Sequence, residues 1–450
     1  MGALVGYHEI TVYRPRASAG SGRVDHRGNR RVGRGGVRPN DGGDDMTFDR
    51  RSLTRALLAA GAALALASCA GGSGENSGLD PLQGAPTPQV SSEPLPAPAP
   101  TVGQGSVKVA LILPSSAKGN AGAAASALKN AAELALSEFD GPDIQLLVKD
   151  DGGSSSGARA AAQAAADEGA KLILGPLFAH SVQGAGQAAR ARGVPVVAFS
   201  TDANVAARGV YLLSFLPESD VQRVVSYAAS QGKRSFAALI PETGYGAVAE
   251  AAFQQAVTRA GGRVIALERY GPDKAKMAGP VERVASALGQ ADALFIPDTA
   301  EAVPAVVGQL AANGVNLKRL KLLGTGLWDD PALTRDASLA GAWFAAPDDA
   351  GFRGFAQRYR AKYGSEPVRA ASLAYDATAL VAAIVKTQGE SGLSDQTLAN
   401  PSGFVGIDGA FRFRPDGPNE RALAVYQIQT GGARIVSPAP RSFGATAQAD

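Results

Sequence analysis

The sequence has little cysteine, histidine or aromatic content. Its 450 residues include 1 cysteine, 3 histidines and 6% aromatic side chains. A single cysteine excludes an intramolecular disulfide framework, and so few cysteines and histidines leave no zinc-binding set. No G-x-x-x-x-G-K-[ST] motif occurs, which excludes a P-loop. The composition therefore predicts neither a metal centre nor a cofactor.

Positive charge is also scarce once the first part of the chain is set aside. Residues before Cys69 hold 11 of the 44 Lys/Arg but only 6 of the 41 Asp/Glu, so the rest of the chain has a net charge near −2. No basic tract occurs in that part, which argues against nucleic acid as a partner. The length allows two or three domains, and a hydrophobic content of 45% is enough for large cores.

Residues 46–68 have the pattern of a signal peptide. Arg50, Arg51 and Arg55 precede an apolar run of about 11 residues, which is shorter than the roughly 20 that a membrane-spanning helix needs. Residues 66–69 (LASC) then resemble the lipobox of bacterial lipoproteins, in which the cysteine thiol is acylated and becomes the new N-terminus. This resemblance predicts lipidation of Cys69. The alternative is an ordinary signal peptide with an incidental cysteine.

The segments around the signal peptide are predicted to lie outside the folded body. Residues 1–45 are rich in Arg and Gly, which is typical of disorder, and we predict that translation starts at Met46. Residues 69–105 are rich in Pro, Gly and Ser, which predicts a tether between a membrane surface and the body. Residues 437–450 are predicted to form a disordered tail.

From residue 106 onward, short apolar strands alternate with Ala-rich helices. One series runs through residues 106–216, and a second series of similar length follows in residues 217–340. Short connections between buried strands and helices require right-handed crossovers and parallel sheets. The pattern therefore predicts an α/β fold with two Rossmann-like lobes. After about residue 400 the pattern changes to strand-like alternation, which predicts a small antiparallel addition.

Several short motifs in this body resemble the type I periplasmic binding proteins of the leucine/isoleucine/valine class. They are residues 111–116 (LILPSS), 149–151 (KDD), 175–181 (GPLFAHS), 193–200 (GVPVVAFS), 245–246 (YG), 359–367 (YRAKYGSEP) and 374–377 (AYDA). The resemblance covers nearly all of residues 107–434. It implies two lobes joined by a three-crossover hinge, with a ligand in the cleft between them. Lobe 1 would comprise residues 106–216 plus about 341–400, and lobe 2 residues 217–340 plus about 401–436.

Small polar residues stand where the strands of the first series end. They are Ser115, Ser116, Ser181, Ser200 and Thr201. In open parallel sheets ligands bind beyond the carboxyl ends of the strands, where hydroxyls and free N–H groups suit a carboxylate or amide oxygen. The alternative is that these residues cap the helices that follow. His180 is either a ligand contact or an ordinary loop residue.

The resemblance adds further candidate ligand-binding residues. Tyr245 matches the tyrosine that reaches in from the second lobe, and Phe178, Phe199, Asp298 and Trp328 complete the predicted set. Amino-acid binders of the family also place an acid after a later strand of the second lobe. Residues 324–329 (GTGLWD) contain no glutamate there, and Asp329 stands one or two positions late, which puts α-amino acids in doubt as ligands.

One short motif is typical of a hydrolase. Residues 153–157 (GSSSG) match the G-x-S-x-G pattern of a nucleophile elbow, with Ser155 as the nucleophile. The pattern requires a histidine base, and His180 is the only histidine after Cys69. We therefore predict that the protein is not an enzyme and has no catalytic residues.

These observations predict a lipid-anchored periplasmic solute-binding protein. Its ligand would be a small polar molecule, such as an amino acid or amide, and its partner an ABC permease. The alternative is a regulator of a cell-wall synthase, because residues 175–177 (GPL) and 200–206 (STDANVA) are also similar to lipoproteins named penicillin-binding-protein activators, which share the fold and the lipid anchor.

Overall fold

A computed structural model of the protein describes residues 101–443. The predictions for Cys69, for the leader at residues 1–68 and for most of the tether lie outside the described residues. The last five residues of the predicted tether, 101–105, do belong to the fold. Strand β1 (Thr101–Val102) pairs antiparallel with β3 (Ile144–Asp150), and the amide of Gly105 donates to the carbonyl of Ile144 at 3.3 Å.

The first lobe is built on a sheet of six strands. In chain order they are β1 (Thr101–Val102), β2 (Val107–Leu113), β3 (Ile144–Asp150), β4 (Leu172–Leu174), β5 (Val196–Ala198) and β6 (Val210–Leu212). Their order across the sheet is β1-β3-β2-β4-β5-β6, and every pair except β1 with β3 is parallel. Val, Ile and Leu dominate β2 to β6 because both faces of the sheet are covered.

Helices cover both faces of this sheet. On one face lie α2 (Ser155–Asp167) and α3 (Ala179–Ala191), whose alanines allow close packing. On the other face lie α1 (Asn120–Glu138) and two helices from late in the chain, α9 (Asp349–Tyr363) and α10 (Ala371–Gln388). The late helices therefore belong to the first lobe.

The second lobe contains a sheet of seven strands. They are β7 (Ser235–Pro241), β8 (Arg263–Tyr270), β9 (Ala293–Phe295), β10 (Lys321–Gly324), β11 (Trp343–Ala346), β15 (Ala424–Gln429) and β16 (Gly432–Ser437), in the order β16-β15-β11-β10-β9-β7-β8. The strands from β7 to β11 pair in parallel, whereas β15 and β16 pair antiparallel. One face packs against α4 (Pro217–Ser230) and α5 (Gly244–Arg259).

The other face packs against α6 (Lys274–Ala287) and α7 (Val303–Ala312), with the short α8 (Pro331–Thr334) nearby. Proline is unfavourable inside a helix, so Pro280 would be expected to stand at a helix end. The structure instead continues α6 through Pro280, and Met277, Val281 and Val284 are buried on the same core. Burial of this apolar stripe outweighs the backbone cost that proline imposes inside a helix.

Three crossovers join the two lobes, as the sequence predicted. They are residues 213–216, between β6 and α4; residues 347–348, between β11 and α9; and residues 422–423, between β14 (Asn419–Arg421) and β15. Each is held by a side chain: Arg421 donates to the carbonyl of Ser214 at 3.0 Å, Tyr426 to that of Pro347 at 3.1 Å, and Arg223 to that of Leu423 at 2.8 Å. The first two leave from the carboxyl ends of β6 and β11, so these ends of the two sheets lie on the side of the segments that join the lobes.

The antiparallel addition predicted after residue 400 is divided between the lobes. A small sheet of β12 (Phe404–Gly406), β13 (Gly409–Phe413) and β14 follows the short α11 (Asp395–Leu398), and its Phe404, Phe411 and Phe413 pack in the first core. Strands β15 and β16 instead extend the second sheet.

The structure therefore differs from the predicted lobe boundaries at three places. Residues 343–346 lie in the second sheet, although the prediction assigned residues from about 341 to lobe 1. Residues 404–413 contribute to the first core, although the prediction assigned residues from about 401 to lobe 2. Ser437 ends β16, although the tail was predicted to begin there. Alternation identifies strands, but only packing decides which sheet receives them.

None of the helices between residues 101 and 443 has the length and apolar content needed to cross a bilayer.

Candidate functional site

The first lobe exposes hydroxyl groups at the carboxyl ends of its strands. Ser115 and Ser116 follow β2, and Thr201 follows β5; all three are exposed. The amide of Ser116 donates to Asp150 at 3.2 Å, which fixes the loop. These three candidate residues are therefore exposed to solvent at this edge.

Helix α3 begins at the same edge without a side-chain cap. Its N-cap residue is Phe178, and no side chain accepts a hydrogen bond from the first turn. The free N–H groups of such a turn favour an anion or a carbonyl oxygen. The half-buried Phe178 ring stacks on His180, with ring centroids 5.7 Å apart. Ser181 is fully buried, and its hydroxyl points to the carbonyl of Ser154 at 3.4 Å.

Phe199 and Ser200 contribute mainly to the structure of this edge. Phe199 is 2% exposed and packs in the first core, so its side chain does not line the cleft in this structure. Ser200 is buried, and its hydroxyl accepts a hydrogen bond from the amide of Asp202 at 3.1 Å. This bond closes a local turn, and Asp202 rather than Ser200 caps the short helix that follows.

Two adjacent aspartates at the end of β3 have opposite pKa shifts. Partial burial of Asp150 acts to raise its pKa, but hydrogen bonds from Ser116 and Gly152 outweigh it and lower the pKa below its usual value. Burial raises the pKa of Asp151, although this carboxylate accepts a hydrogen bond from the amide of Gly153 at 2.8 Å. The first lobe therefore carries one stabilised and one disfavoured carboxylate beside its exposed hydroxyls.

At the corresponding edge of the second lobe, polar side chains form hydrogen bonds with one another. Tyr245 lies in the first turn of α5, which Thr243 caps, and its hydroxyl donates to Thr325 at 2.8 Å. Tyr270 at the end of β8 donates to Asp298 at 2.5 Å, and Asp298 also accepts from the amide of Thr299. Burial raises the pKa values of both tyrosines, so both remain neutral donors.

Trp328 is part of the second core and does not line a pocket in this structure. Its ring is fully buried, and its indole N–H donates to the carbonyl of Ile296 at 3.1 Å. A Cβ atom at Gly324 would lie 2.2 Å from this ring, so only glycine fits there. Sequence reasoning expected an aromatic residue after β10 to reach ligand, but the turn points it inward.

Asp220 was not singled out in the sequence. It lies in the first turn of α4, and its carboxylate accepts a hydrogen bond from the amide of Gly326 at 2.9 Å. An acid from a different element therefore stands beside the stretch in which the sequence showed no glutamate. Burial raises the pKa of Asp220 to about 7. No local pattern could reveal it, because the contact joins residues 106 positions apart.

Residues 153–157, which match the G-x-S-x-G pattern, do not assemble a serine–histidine pair. The Nε2 atom of His180 lies 2.8 Å from the carbonyl oxygen of Gly153, and within residues 101–443 no hydrogen bond joins it to Ser155. Ser154 instead caps α2 by accepting from the amide of Gly157. In the part of the chain that the structure describes, no group of three or more His, Cys, Asp or Glu is arranged to hold a metal ion.

From the sequence, Asp329 could instead cap the turn at Pro331, and the structure shows that it does not. It is exposed, and the neighbouring Asp330 accepts from the amide of Ala332 at 2.7 Å instead.

Comparison with known proteins places these features in a family. A sequence profile described as "Periplasmic binding protein" matches residues 106–433. No curated protein sequence matches the chain.

Several solved structures share the fold. A protein from Rhodospirillum rubrum, assigned to a branched-chain amino acid ABC transporter, is 20% identical with a TM-score of 0.66, covering 73% of this chain and 99% of its own. A substrate-binding protein from Desulfitobacterium hafniense in complex with Leu is 18% identical, with a TM-score of 0.55 over 73% of this chain and 99% of its own. A solute-binding protein from Rhodopseudomonas palustris BisB5 in complex with 3,4-dihydroxybenzoic acid is 21% identical, with a TM-score of 0.55. The match covers 75% of this chain and 97% of that protein.

Proposed function

This chain belongs to the periplasmic binding protein family, and from that premise we propose that it is a solute receptor serving an ABC importer. The observation that carries the proposal is the open polar edge of the first lobe. There Ser115, Ser116 and Thr201 are exposed, and α3 begins without a side-chain cap. Both features suit a carboxylate or amide oxygen of a small ligand.

The ligand class that fits this edge is a small molecule with a carboxylate or amide group. Leucine and 3,4-dihydroxybenzoate, which two structures of the same fold contain, share a carboxylate. In the second lobe, Tyr245 and Asp220 carry a hydroxyl and a carboxylate, which are bonded to Thr325 and Gly326 respectively. Asp220 would face an ammonium or amide N–H group, which favours amino acids and amides over simple aromatic acids.

Thermal-shift screening tests the proposal directly. Amino acids, their amides and aromatic acids would be compared, because a ligand that binds only the folded state raises its stability. We expect stabilisation by at least one amino acid or amide. The double variant Ser115→Ala/Ser116→Ala should lose that stabilisation, whereas Ser338→Ala, an exposed serine of the second lobe, should keep it. Absence of stabilisation by every compound would refute a receptor for these classes.

We also propose that the protein is anchored in the periplasm through a lipid on Cys69. The sequence around Cys69 supports this, and the lone cysteine leaves no other acylation site on a thiol. Mass spectrometry of the mature N-terminus should find an acylated Cys69, and Cys69→Ala should move the protein from the detergent phase to the aqueous phase of Triton X-114. A peptide from residues 1–45 would contradict a start at Met46.

A second candidate function is contact with a cell-wall synthase. The observation that favours it is the second lobe's edge, where Tyr245, Thr325, Tyr270 and Asp298 are bonded to one another rather than left for a ligand. Pull-down with membrane cell-wall synthases distinguishes the two functions. Specific retention of a synthase, together with a silent ligand screen, would favour this second candidate.

A further inference from the structure

Seven basic side chains gather at the edge of the second sheet where its parallel strands begin. Strands β10, β9, β7 and β8 are neighbours in that order, and backbone hydrogen bonds join their amino ends. The amide of Arg263 donates to the carbonyl of Arg234 at 2.8 Å, and the amide of Lys321 donates to the carbonyl of Asp292 at 3.1 Å. Between the last residue of each preceding α-helix and the first residue of each strand, the basic residues are Lys233, Arg234, Arg259, Arg263, Lys318, Arg319 and Lys321. We call this set the basic edge.

Little negative charge balances the basic edge. The same segments contain one acid, Asp292, whose carboxylate accepts hydrogen bonds from the amides of Arg234 and Ser235, both at 2.9 Å. These bonds lower the pKa of Asp292, and the charges of Lys233 and Arg263 lower it further. Among residues 101–443 no salt bridge involves the basic edge, and the ion pairs of the second lobe join other residues, namely Arg269 with Glu250, Lys276 with Asp273 and Arg283 with Glu268.

The corresponding edge of the first lobe has the opposite balance of charge. The segments that join α1 to β3, α2 to β4 and α3 to β5 carry the acids Glu138, Asp140, Asp143, Asp167 and Glu168 but only the bases Lys171 and Arg192. Several of these are paired: Arg192 lies 2.8 Å from Asp167, and Lys386 lies 3.1 Å from Asp140. The excess of unpaired cations is therefore a property of the second lobe and not of strand starts throughout the chain.

Two arginines of the basic edge also line a pocket between the carboxyl-terminal ends of α4 and α5. Arg234 donates one hydrogen bond to the carbonyl of Ala260 at 3.0 Å, and Arg259 donates one to Gln222. A guanidinium has five N–H donors, so each arginine keeps donors beyond these bonds. With Ser226 and Ser230 they line a volume of about 270 Å³. Guanidinium and hydroxyl groups around such a space suit the oxygens of a phosphate.

The basic edge lacks the apolar centre of a typical protein interface. Stable protein interfaces are organised around buried aromatic or aliphatic anchors with a polar rim. Among the described residues of the second lobe, Val264 is the only large hydrophobic side chain that is exposed, and one valine does not form such a centre. An anionic lipid surface needs no anchor of this kind, because each basic side chain near it contributes a similar attraction.

We propose that the basic edge binds the anionic headgroups of a phospholipid membrane. The proposal rests on the proposed function only through the lipid on Cys69, which would hold the body near a membrane and raise the local concentration of headgroups. The 32 residues from Cys69 to Thr101 (101 − 69) span up to roughly 110 Å when extended, which is enough to permit the contact.

Lipid contact at this edge leaves the candidate ligand-binding edge of the second lobe free. The two edges lie at opposite ends of the same parallel strands. Strand β7 has seven residues and therefore separates the two edges by roughly 20 Å. Tyr245 and Thr325 follow the carboxyl ends of β7 and β10, away from the basic edge.

Vesicle sedimentation of unlipidated protein tests the proposal. The chain of residues 69–450 contains both lobes, and Cys69→Ser removes the acylation site. We expect it to bind vesicles of phosphatidylcholine with about 30% phosphatidylglycerol and not vesicles of phosphatidylcholine alone. Raising the salt from about 50 to about 500 mM should lower the partition coefficient at least tenfold, because salt screens exposed charges.

Variants assign the binding to the basic edge. Arg263, Lys318 and Arg319 are exposed, and among the described residues their side chains form no hydrogen bond or salt bridge. Each cation near an anionic membrane contributes about fivefold to partitioning, so replacing all three with Gln should lower the partition coefficient about a hundredfold. The control replaces Lys118, Arg159 and Arg353, three exposed bases of the first lobe, with Gln. It removes the same net charge and should stay within about threefold of the parent.

Four results would overturn the proposal. Absence of binding to anionic vesicles would direct the search to an acidic protein partner instead. Equal binding to neutral vesicles, or an equal loss in the two triple variants, would exclude a local electrostatic contact. Displacement by inorganic phosphate at matched ionic strength would indicate a site for free phosphate. The assays use neither a solute ligand nor the lipid on Cys69, so failure here is distinguishable from failure of the receptor or of the anchor.

Discussion

The two lobes use similar polar groups differently at the edges that face each other. In the first lobe the hydroxyls of Ser115, Ser116 and Thr201 are exposed. In the second lobe the hydroxyls of Tyr245 and Tyr270 are already bonded within the lobe. The first lobe therefore presents solvent-exposed hydroxyls at its edge, whereas the second lobe presents a preorganised rim. For the proposed receptor, this difference predicts that ligand binds the first lobe before the second lobe covers it.

The largest effect should come from Trp328 in the core of the second lobe. Trp328→Ala removes a fully buried ring and its bond to Ile296, and should lower the free energy of unfolding by about 3–5 kcal/mol. Phe178→Ala, at the half-buried edge of the first lobe, is the matched control and should cost about 1 kcal/mol. Urea denaturation measures both. Equal losses of unfolding free energy in the two variants would contradict the contrast between a packed second-lobe edge and an open first-lobe edge.

An intermediate effect is expected for the bond between Tyr245 and Thr325. Tyr245→Phe leaves the hydroxyl of Thr325, which is fully buried, without its donor and should cost about 1–3 kcal/mol. Tyr227→Phe is the control, because no hydrogen bond from its hydroxyl occurs among the described residues. Thermal unfolding of both variants compares them. A neutral Tyr245→Phe would show that the second rim is not held by this bond.

Within the first lobe, Asp150 and Asp151 should respond to pH with opposite signs. The pKa of Asp150 is lowered, so its contribution to stability is present above its unfolded pKa and is lost as the pH falls through its folded value. The pKa of Asp151 is raised, so its contribution is present at low pH and is lost as the pH rises. Relative to the parent, Asp150→Asn should lose stability at neutral pH and Asp151→Asn should gain it. Urea titrations at pH 4 and pH 7 measure the signs, and like signs would contradict the assigned environments.

The smallest effect on stability should accompany the clearest effect on binding. Thr201→Val keeps the shape of an exposed residue and should change the free energy of unfolding by no more than about 0.5 kcal/mol. For a ligand that contacts this hydroxyl, the dissociation constant should rise about tenfold, equivalent to roughly 1.4 kcal/mol. Thr258→Val, on the outer face of α5, should change neither quantity. Calorimetric titration with any ligand found in the thermal-shift screen checks both.

Much of the architecture could be predicted from the sequence because both lobes follow one local rule. Runs such as residues 107–113 alternate with Ala-rich helices, and burial on two faces requires that pattern. The location of several serines at strand ends could be predicted for the same reason, because the chain must turn where a strand ends. Their separate roles could not be predicted, because Ser181 and Ser200 are buried while Ser115 and Ser116 are exposed.

What the sequence determined by itself is the period of the chain: strand, helix, strand, twice over, with polar groups at the carboxyl ends and a single cysteine at residue 69. Only the tertiary structure decided which groups meet. It placed Asp220 on Gly326, turned Trp328 into the second core and divided residues 404–437 between two sheets. The physical reason is that periodicity is set by neighbours along the chain, whereas these contacts join distant positions and depend on how whole sheets and helices pack.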